Sequence, residues 1–94
     1  MSSSFGPEKP DTWFVYMVEC RDGSLYTGIT NDLDRRVQQH NEGLASRYTR
    51  SRRPVVLRYR EPCGSRSHAL IRECAVKLMT PVQKRALAGR ATDS

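Results

Sequence analysis

The sequence predicts an α+β domain in which a three-stranded antiparallel sheet is flanked by helices, in the order β-β-α-β-α-α. Three observations carry this prediction. Two apolar runs rich in aromatic and β-branched residues are joined by a tight turn, and a third run alternates apolar and polar residues. Two further segments have apolar residues at helical spacing, and a third opens with a helix-start signal. The 94 residues and the 37% hydrophobic content suit one thin, two-layer domain.

The first two strands are predicted to form a hairpin. Residues 13–20 and 25–29 are the two apolar runs, and they are separated by Arg21-Asp22-Gly23-Ser24. Because an Asp-Gly pair readily adopts the positive φ angles of a tight connection, the two runs should pair as neighbours.

A first helix is predicted over residues 31–42. Asn31 can cap its start, Leu33 and Val37 lie on one face, and Gly43 is a stop signal. Residues 44–53 lack a strong period and should form an ordered loop or one short turn of helix.

The third strand and two more helices follow. Val55, Leu57 and Tyr59 alternate with polar or outward-facing residues, which predicts a strand over residues 55–60. Thr80, Pro81 and Gln83 form a helix start that should continue to about residue 89. Between them, residues 67–79 should form a helix that covers the sheet with its apolar face, namely Leu70, Ile71, Cys74, Ala75 and Leu78.

The charge is strongly basic and unevenly placed. Lys and Arg total 16 against 10 acidic residues, and residues 35–66 hold nine arginines and two glutamates. Because the guanidinium fork matches phosphate oxygens, an all-arginine cluster favours nucleic acid as the partner over a merely solvated basic face. Tyr48 and Tyr59 lie within this run and could stack on bases.

Location and domain limits follow from composition. The three cysteines, Cys20, Cys63 and Cys74, lack a CxxC pair, so they are expected to be reduced and mostly buried rather than disulfide-bonded or zinc-bound. No segment resembles a signal peptide or a membrane span, which makes the cytoplasm the expected location. Residues 1–11 are expected to be a flexible tail before a domain over residues 12–90.

Five residues could carry chemistry, although each alone has an ordinary explanation. Tyr16 and Tyr26 lie in neighbouring strands, Arg36 and His40 share one face of the first helix, and Glu73 lies midway along the second long helix. Taken singly, they would be strand packing residues, a solvated arginine, a hydrogen-bonded histidine and a surface glutamate paired with Lys77.

Taken together, these residues resemble a known family. FVY (residues 14–16) and YTG (residues 26–28) resemble the paired motif of the GIY-YIG nuclease superfamily, and Arg36 stands ten residues beyond Tyr26, where that superfamily places its arginine. Glu73 resembles the family's metal-binding glutamate. The resemblance covers residues 13–88 and is strongest to the small, single-domain bacterial branch, through runs such as DGSLYTGIT, RRVQQHN and YTRSRRPV.

The resemblance implies a metal-dependent endonuclease that hydrolyses phosphodiester bonds in DNA with one Mg²⁺ or Mn²⁺ ion. Glu73 would hold the ion and Arg36 would stabilise charge at phosphorus, while Tyr16, Tyr26 or His40 would orient or deprotonate the attacking water. Candidate nucleic-acid-binding residues are Arg35, Arg47, Tyr48, Thr49, Arg50, Arg52 and Arg53.

Two alternatives stay open. Gly28 either lets the backbone pass closely beside Arg36 or a phosphate, or simply ends its strand. No asparagine follows Glu73, where many family enzymes have one, so that role is vacant or falls to Lys77 or Lys84. The alternative function is a non-catalytic or weakly active nucleic-acid-binding module with the same fold, with or without a protein partner.

Overall fold

A computed structural model describes residues 12–93 of the chain, with side chains through residue 89. The predicted tail, residues 1–11, lies outside the described residues. The predicted order of elements is confirmed, and the short helix α2 is the single turn expected between residues 44 and 53. The elements are β1 (Trp13–Glu19), β2 (Leu25–Thr30), α1 (Leu33–Asn41), α2 (Arg47–Arg50), β3 (Val56–Cys63), α3 (Arg66–Lys77) and α4 (Pro81–Asp93).

The sheet is antiparallel with the strand order β2-β1-β3, so β1 is its central strand. The predicted hairpin is confirmed: Cys20 N donates to Ser24 O at 2.8 Å, and Gly23 has a φ of +87°. Among the described residues, no helix combines the length and the apolar character needed to cross a membrane.

Helices cover both faces of the sheet, so the expectation of two layers was wrong. Every residue of β1 from Phe14 to Val18 is buried, because a central strand between two helical layers has no solvent face. One face packs against α3 and α4 through Val15, Met17, Tyr59, Cys63, Ala69, Val76 and Ala88. The other packs against α1 through Phe14, Tyr16, Val18, Cys20, Leu33 and Val55.

The start of α1 differs from the prediction by one residue. The cap is Asp32 rather than Asn31, because the extended Asp32 places its carboxylate to accept from Arg35 N at 3.2 Å. Gly43 follows the helix with a φ of +80°, which confirms the predicted stop. The predicted cap of α4 is also confirmed, since Thr80 and Gln83 exchange two side-chain to backbone hydrogen bonds.

The third strand is shifted and longer than predicted. It spans Val56–Cys63, and its C-terminal part pairs with the start of β1, where Cys63 opposes Trp13. Pro62 is tolerated because β3 is an edge strand. Val55 and Tyr59 are buried as expected, although a register shift opposite Met17 interrupts the simple alternation.

The face of α3 that covers the sheet is not the predicted one. Ile71 is 71% exposed and Leu78 just after the helix is 82% exposed, whereas Ala69 and Val76 are fully buried. Small side chains let the helix approach the sheet closely. Arg72 is held toward β3 by two hydrogen bonds to Glu61, of 2.7 and 3.0 Å. The long apolar side chains therefore point away from the sheet.

Candidate active site

The two candidate tyrosines lie on the sheet face that α1 covers. Tyr16 opposes Gly28 and Tyr26 opposes Val18, so the tyrosines are diagonal neighbours and not a direct cross-strand pair. The ring of His40 packs edge-on against both, with centroid distances of 5.8 Å to Tyr16 and 5.2 Å to Tyr26. His40 thus joins the strand tyrosines to the helix.

Gly28 does not end its strand, and the side chain closest to it is that of Tyr16 and not that of Arg36. It lies inside β2, which continues to Thr30, and the ring of Tyr16 lies directly over it. A Cβ at this position would stand 2.6 Å from the Tyr16 hydroxyl and 2.8 Å from Cζ. Because no real side chain tolerates such distances, Gly28 is the residue that makes room for the Tyr16 phenol.

His40 is fully buried and forms the middle of a polar chain. Its Nε2 lies 2.8 Å from the Tyr16 hydroxyl, and its Nδ1 lies 2.8 Å from the Thr49 hydroxyl. The Thr49 hydroxyl donates to the Ser46 carbonyl at 3.4 Å, so it accepts from Nδ1–H. That assignment leaves Nε2 without a proton, and Tyr16 donates to it.

Burial and nearby charge keep this chain neutral. Burial, the neighbouring Tyr26 and the Glu73 charge raise the pKa of the Tyr16 phenol above its usual range, while the Arg36 charge opposes them. Burial, assisted by the Arg36 charge, lowers the pKa of His40 to about 4. At neutral pH the resting site therefore holds a phenol and an uncharged imidazole.

Glu73 enters the same site from α3. Its side chain is 17% exposed, and Lys77 lies 3.1 Å from one of its carboxylate oxygens. The charges of Arg36 on α1 and of Glu73 on α3 both act on the Tyr16 phenol of β1. Lys77, one of the two proposed substitutes for the missing asparagine, lies beside Glu73.

The donor set at Glu73 fits only one kind of metal. No cluster of three or more His, Cys, Asp or Glu side chains suited to a metal occurs in the described part of the chain. Zinc-type coordination is therefore not built there. A single carboxylate does fit Mg²⁺ or Mn²⁺, because such ions keep several waters and take further ligands from substrate phosphates.

An aromatic and arginine stack extends from the site to the surface. Tyr48 stacks on Tyr26 with centroids 5.9 Å apart, and the Arg52 guanidinium lies 4.0 Å over the Tyr48 ring. Arg52 is fixed there by Asp22 at 3.0 Å and by the Tyr48 carbonyl at 2.9 Å. Tyr48 is 39% exposed, so the outer face of the stack is accessible.

The remaining predicted contact residues divide into three groups. Thr49 is fully buried and supports His40, so it has no surface to offer a strand. Arg35 is exposed and lines a cleft of about 240 Å³ beside Arg36, and Arg47 is exposed on α2. Arg50 and Arg53 line a different, larger cleft.

Comparison with known proteins agrees with this geometry. A family model described as the GIY-YIG catalytic domain matches residues 12–84. The chain belongs to the GIY-YIG family. The predicted resemblance to this family is thereby confirmed, and the family is one of nuclease domains.

Relatives of this GIY-YIG chain are small proteins of similar length. A UPF0213 protein of Desulfotalea psychrophila is 53% identical over 85 residues, covering 85% of this chain and 77% of that protein. A UPF0213 protein of Halobacterium salinarum is 49% identical, covering 78% and 95%. The solution NMR structure of a UPF0213 protein from Bacillus halodurans matches with a TM-score of 0.54 and 38% identity over 83% of each chain.

Sequence reasoning missed two functional features. The pairing of Gly28 with Tyr16 could have been found, because a hairpin centred on the Asp22-Gly23 turn fixes that register. The contact between Thr49 and His40 has no comparable signal, since it depends on how α2 packs beside α1.

Proposed function

We propose that this GIY-YIG protein is an endonuclease that hydrolyses phosphodiester bonds in DNA with one bound Mg²⁺ or Mn²⁺ ion. The observation that carries the proposal is the convergence of Arg36, Glu73 and the neutral Tyr16–His40 pair from three elements. A phosphate placed among them would contact the Arg36 guanidinium, the proposed metal-binding carboxylate and a proton acceptor.

Arg36 and Glu73 would handle the charge of the reaction. The guanidinium would bind the nonbridging oxygens, on which negative charge grows as water adds to phosphorus. Glu73 would hold the metal ion, which when bound would neutralise the negative charge on the departing 3′-oxygen. Lys77 would help to orient the Glu73 carboxylate, because its Nζ lies 3.1 Å from one carboxylate oxygen.

Tyr16 and His40 would handle the proton. Tyr16 already donates to Nε2, so the phenol oxygen can accept a proton from the attacking water while its own proton passes to His40. The O–H bond of water breaks, the new P–O bond forms, and the P–O3′ bond breaks, after which the 3′-oxygen takes a proton from solvent water and leaves as a hydroxyl. Negative charge at the phosphate favours the imidazolium, and Thr49 accepts from its Nδ1–H.

Tyr26 has a different part in this proposal. Its ring contacts His40 edge-on and stacks on Tyr48, which suits positioning and strand contact rather than proton transfer. The exposed edge of Tyr48 would contact a base or sugar, because Tyr26 and Arg52 already lie over its ring, and Arg35, Arg47 and Arg52 would contact the backbone.

The direct test is cleavage of plasmid, branched and single-stranded DNA with Mg²⁺ or Mn²⁺. Glu73→Gln keeps the shape of the side chain and removes its charge, so we expect unchanged DNA binding and loss of cleavage. Glu42→Gln is the matched control, because Glu42 is an exposed acid at the end of α1 that bonds only Gln38 among the described side chains. DNA binding without cleavage by the wild type would favour the non-catalytic binding module.

A second comparison separates the three candidate bases. Tyr16→Phe and His40→Gln both interrupt the proton path and should lower the single-turnover rate by about 10²-fold or more. Tyr26→Phe keeps the stacked ring and should retain most of the rate. A large loss for Tyr26→Phe alone would reverse the roles of the two tyrosines.

A further inference from the structure

A second basic cleft lies beside the active site and none of the residues proposed for the reaction lines it. Its volume is about 530 Å³, within the range of pockets that take nucleotide-sized ligands. Three segments form it: the β1–β2 turn, the end of α1, and the connection from α2 to β3. Its lining residues are Arg21, Asn41, Arg50, Ser51, Arg53 and Pro54.

The arginines of this cleft are not neutralised. Among the described residues, Arg21, Arg50 and Arg53 form no ion pair with a carboxylate. Elsewhere in the same structure, arginines do find such partners, as Arg58 does with Glu19 at 2.8 Å and Arg72 with Glu61 at 2.7 Å. Three uncompensated cations around one cleft raise its positive potential and favour a bound anion.

Part of the cleft is held rigidly. Arg53 Nε donates to the Arg50 carbonyl at 2.8 Å, and the guanidinium packs so closely on Gly43 that a Cβ there would lie 3.0 Å from Nη1. Asn41 is fixed by two hydrogen bonds to the Val55 backbone, of 2.7 and 3.1 Å. These contacts orient the Arg53 fork before any ligand arrives, which lowers the entropic cost of binding.

The cleft is also tied to the proposed active site through the chain. Asn41 directly follows His40, and Arg50 directly follows Thr49, so the two residues of the polar chain separate the cleft from Tyr16. The residues that support Tyr16 are therefore direct chain neighbours of residues that line the cleft.

We infer that the cleft of Arg21, Arg50 and Arg53 binds a phosphate group of the nucleic-acid substrate. This inference rests on the proposed function and adds a second binding site for the substrate strand. Two sources share the chemistry: a terminal phosphomonoester and an internal phosphodiester. The terminal group carries about −1.5 to −2 charges at neutral pH, so three cations favour it over the internal one.

The test measures binding in EDTA, so that no cleavage takes place. DNA of one sequence is prepared with a 5′-phosphate, a 3′-phosphate or hydroxyls at both ends, and Kd is measured by fluorescence anisotropy for the full chain. We expect the wild type to bind one phosphorylated form about tenfold more tightly than the hydroxyl form. Arg21→Gln and Arg53→Gln should abolish that preference.

Arg66→Gln is the matched control. Arg66 is exposed and also lacks a carboxylate partner among the described residues, and it lies by Trp13 instead of the cleft. It should weaken all DNA forms equally and preserve the preference. Arg21 makes no side-chain hydrogen bond or ion pair among the described residues, so Arg21→Gln tests the cleft even if Arg53→Gln disturbs the fold.

The outcomes are distinct. If no end is preferred but Arg21→Gln weakens every DNA form more than Arg66→Gln does, the cleft binds an internal phosphodiester. If Arg21→Gln and a folded Arg53→Gln behave like Arg66→Gln, the inference is overturned. Failure of the nuclease is separate, because a protein that prefers phosphorylated ends yet never cuts DNA would keep this cleft and lose the proposed activity.

Discussion

At the scale of single residues, the protonation state of His40 is determined by its surroundings. Its side chain is 1% exposed, and both ring nitrogens have neutral oxygen partners. In the part of the chain that the structure describes, no carboxylate offsets a positive charge on the ring, and Arg36 disfavours one. His40 is therefore suited to accept a proton only when negative charge arrives with the substrate.

This burial predicts an acid-sensitive fold. The pKa of His40 falls from an ordinary 6.5 to about 4 on folding, so the unfolded chain binds more protons between those values. The free energy of unfolding should be flat above pH 6.5 and should decrease by about 3 kcal/mol as the pH falls toward 4, from this group alone. Urea unfolding of His40→Gln should lack that component, whereas His68→Gln, at an exposed histidine, should keep it. Parallel profiles for wild type and a folded His40→Gln would argue against the assignment.

Gly28 allows a second test at this scale. Gly28→Ala should cost about 1–3 kcal/mol, because the new Cβ overlaps the Tyr16 phenol. In a Tyr16→Ala background the same change should cost close to nothing, since alanine otherwise suits a strand interior better than glycine. The measurement is a double-mutant cycle by urea denaturation. Additive effects would mean that the phenol is not what excludes a side chain at position 28.

At the scale of elements, local sequence signals predicted that each strand and helix exists. They did not always predict which face of a helix packs against the sheet. The turn at Asp22-Gly23 and the cap at Thr80 act within a few residues, so the sequence alone locates the hairpin and the start of α4. The face of α3 is different. Its large apolar residues form the more conspicuous stripe, yet Ala69 and Val76 are the residues that pack on the sheet. Their small side chains let the helix approach closely, and the Arg72–Glu61 ion pair holds this face toward β3.

The orientation of α3 predicts unequal effects of similar substitutions. Val76→Ala removes buried methyl groups and should cost about 1–3 kcal/mol of unfolding free energy. Ile71→Ala removes more carbon atoms from a side chain that is 71% exposed, and it should change stability by less than about 0.5 kcal/mol. Chemical denaturation of the two variants measures both. A larger loss for Ile71→Ala would mean that the originally predicted face is the packed one.

At the scale of the whole molecule, the candidate site is a product of topology. Tyr16, Arg36 and Glu73 could be nominated from the sequence because the family spacing relates them. Arg36 comes from α1, which covers the sheet face of Tyr16, whereas Glu73 comes from α3, which packs on the opposite face, and its charge still acts on the Tyr16 phenol. The support from Thr49 and the separate cleft at Arg21 could not be predicted, because they arise where distant segments pack together.

The central claim is that the site of Tyr16, Arg36 and Glu73 hydrolyses phosphodiester bonds. Single-turnover cleavage, measured with DNA saturated by protein, tests this claim most directly. Arg36→Gln and Arg66→Gln each remove one positive charge, the first inside the proposed site and the second outside it. We predict that Arg36→Gln lowers the rate constant by about 10²–10³-fold and that Arg66→Gln leaves it within about twofold of wild type. Equal rates for all three proteins would contradict the account.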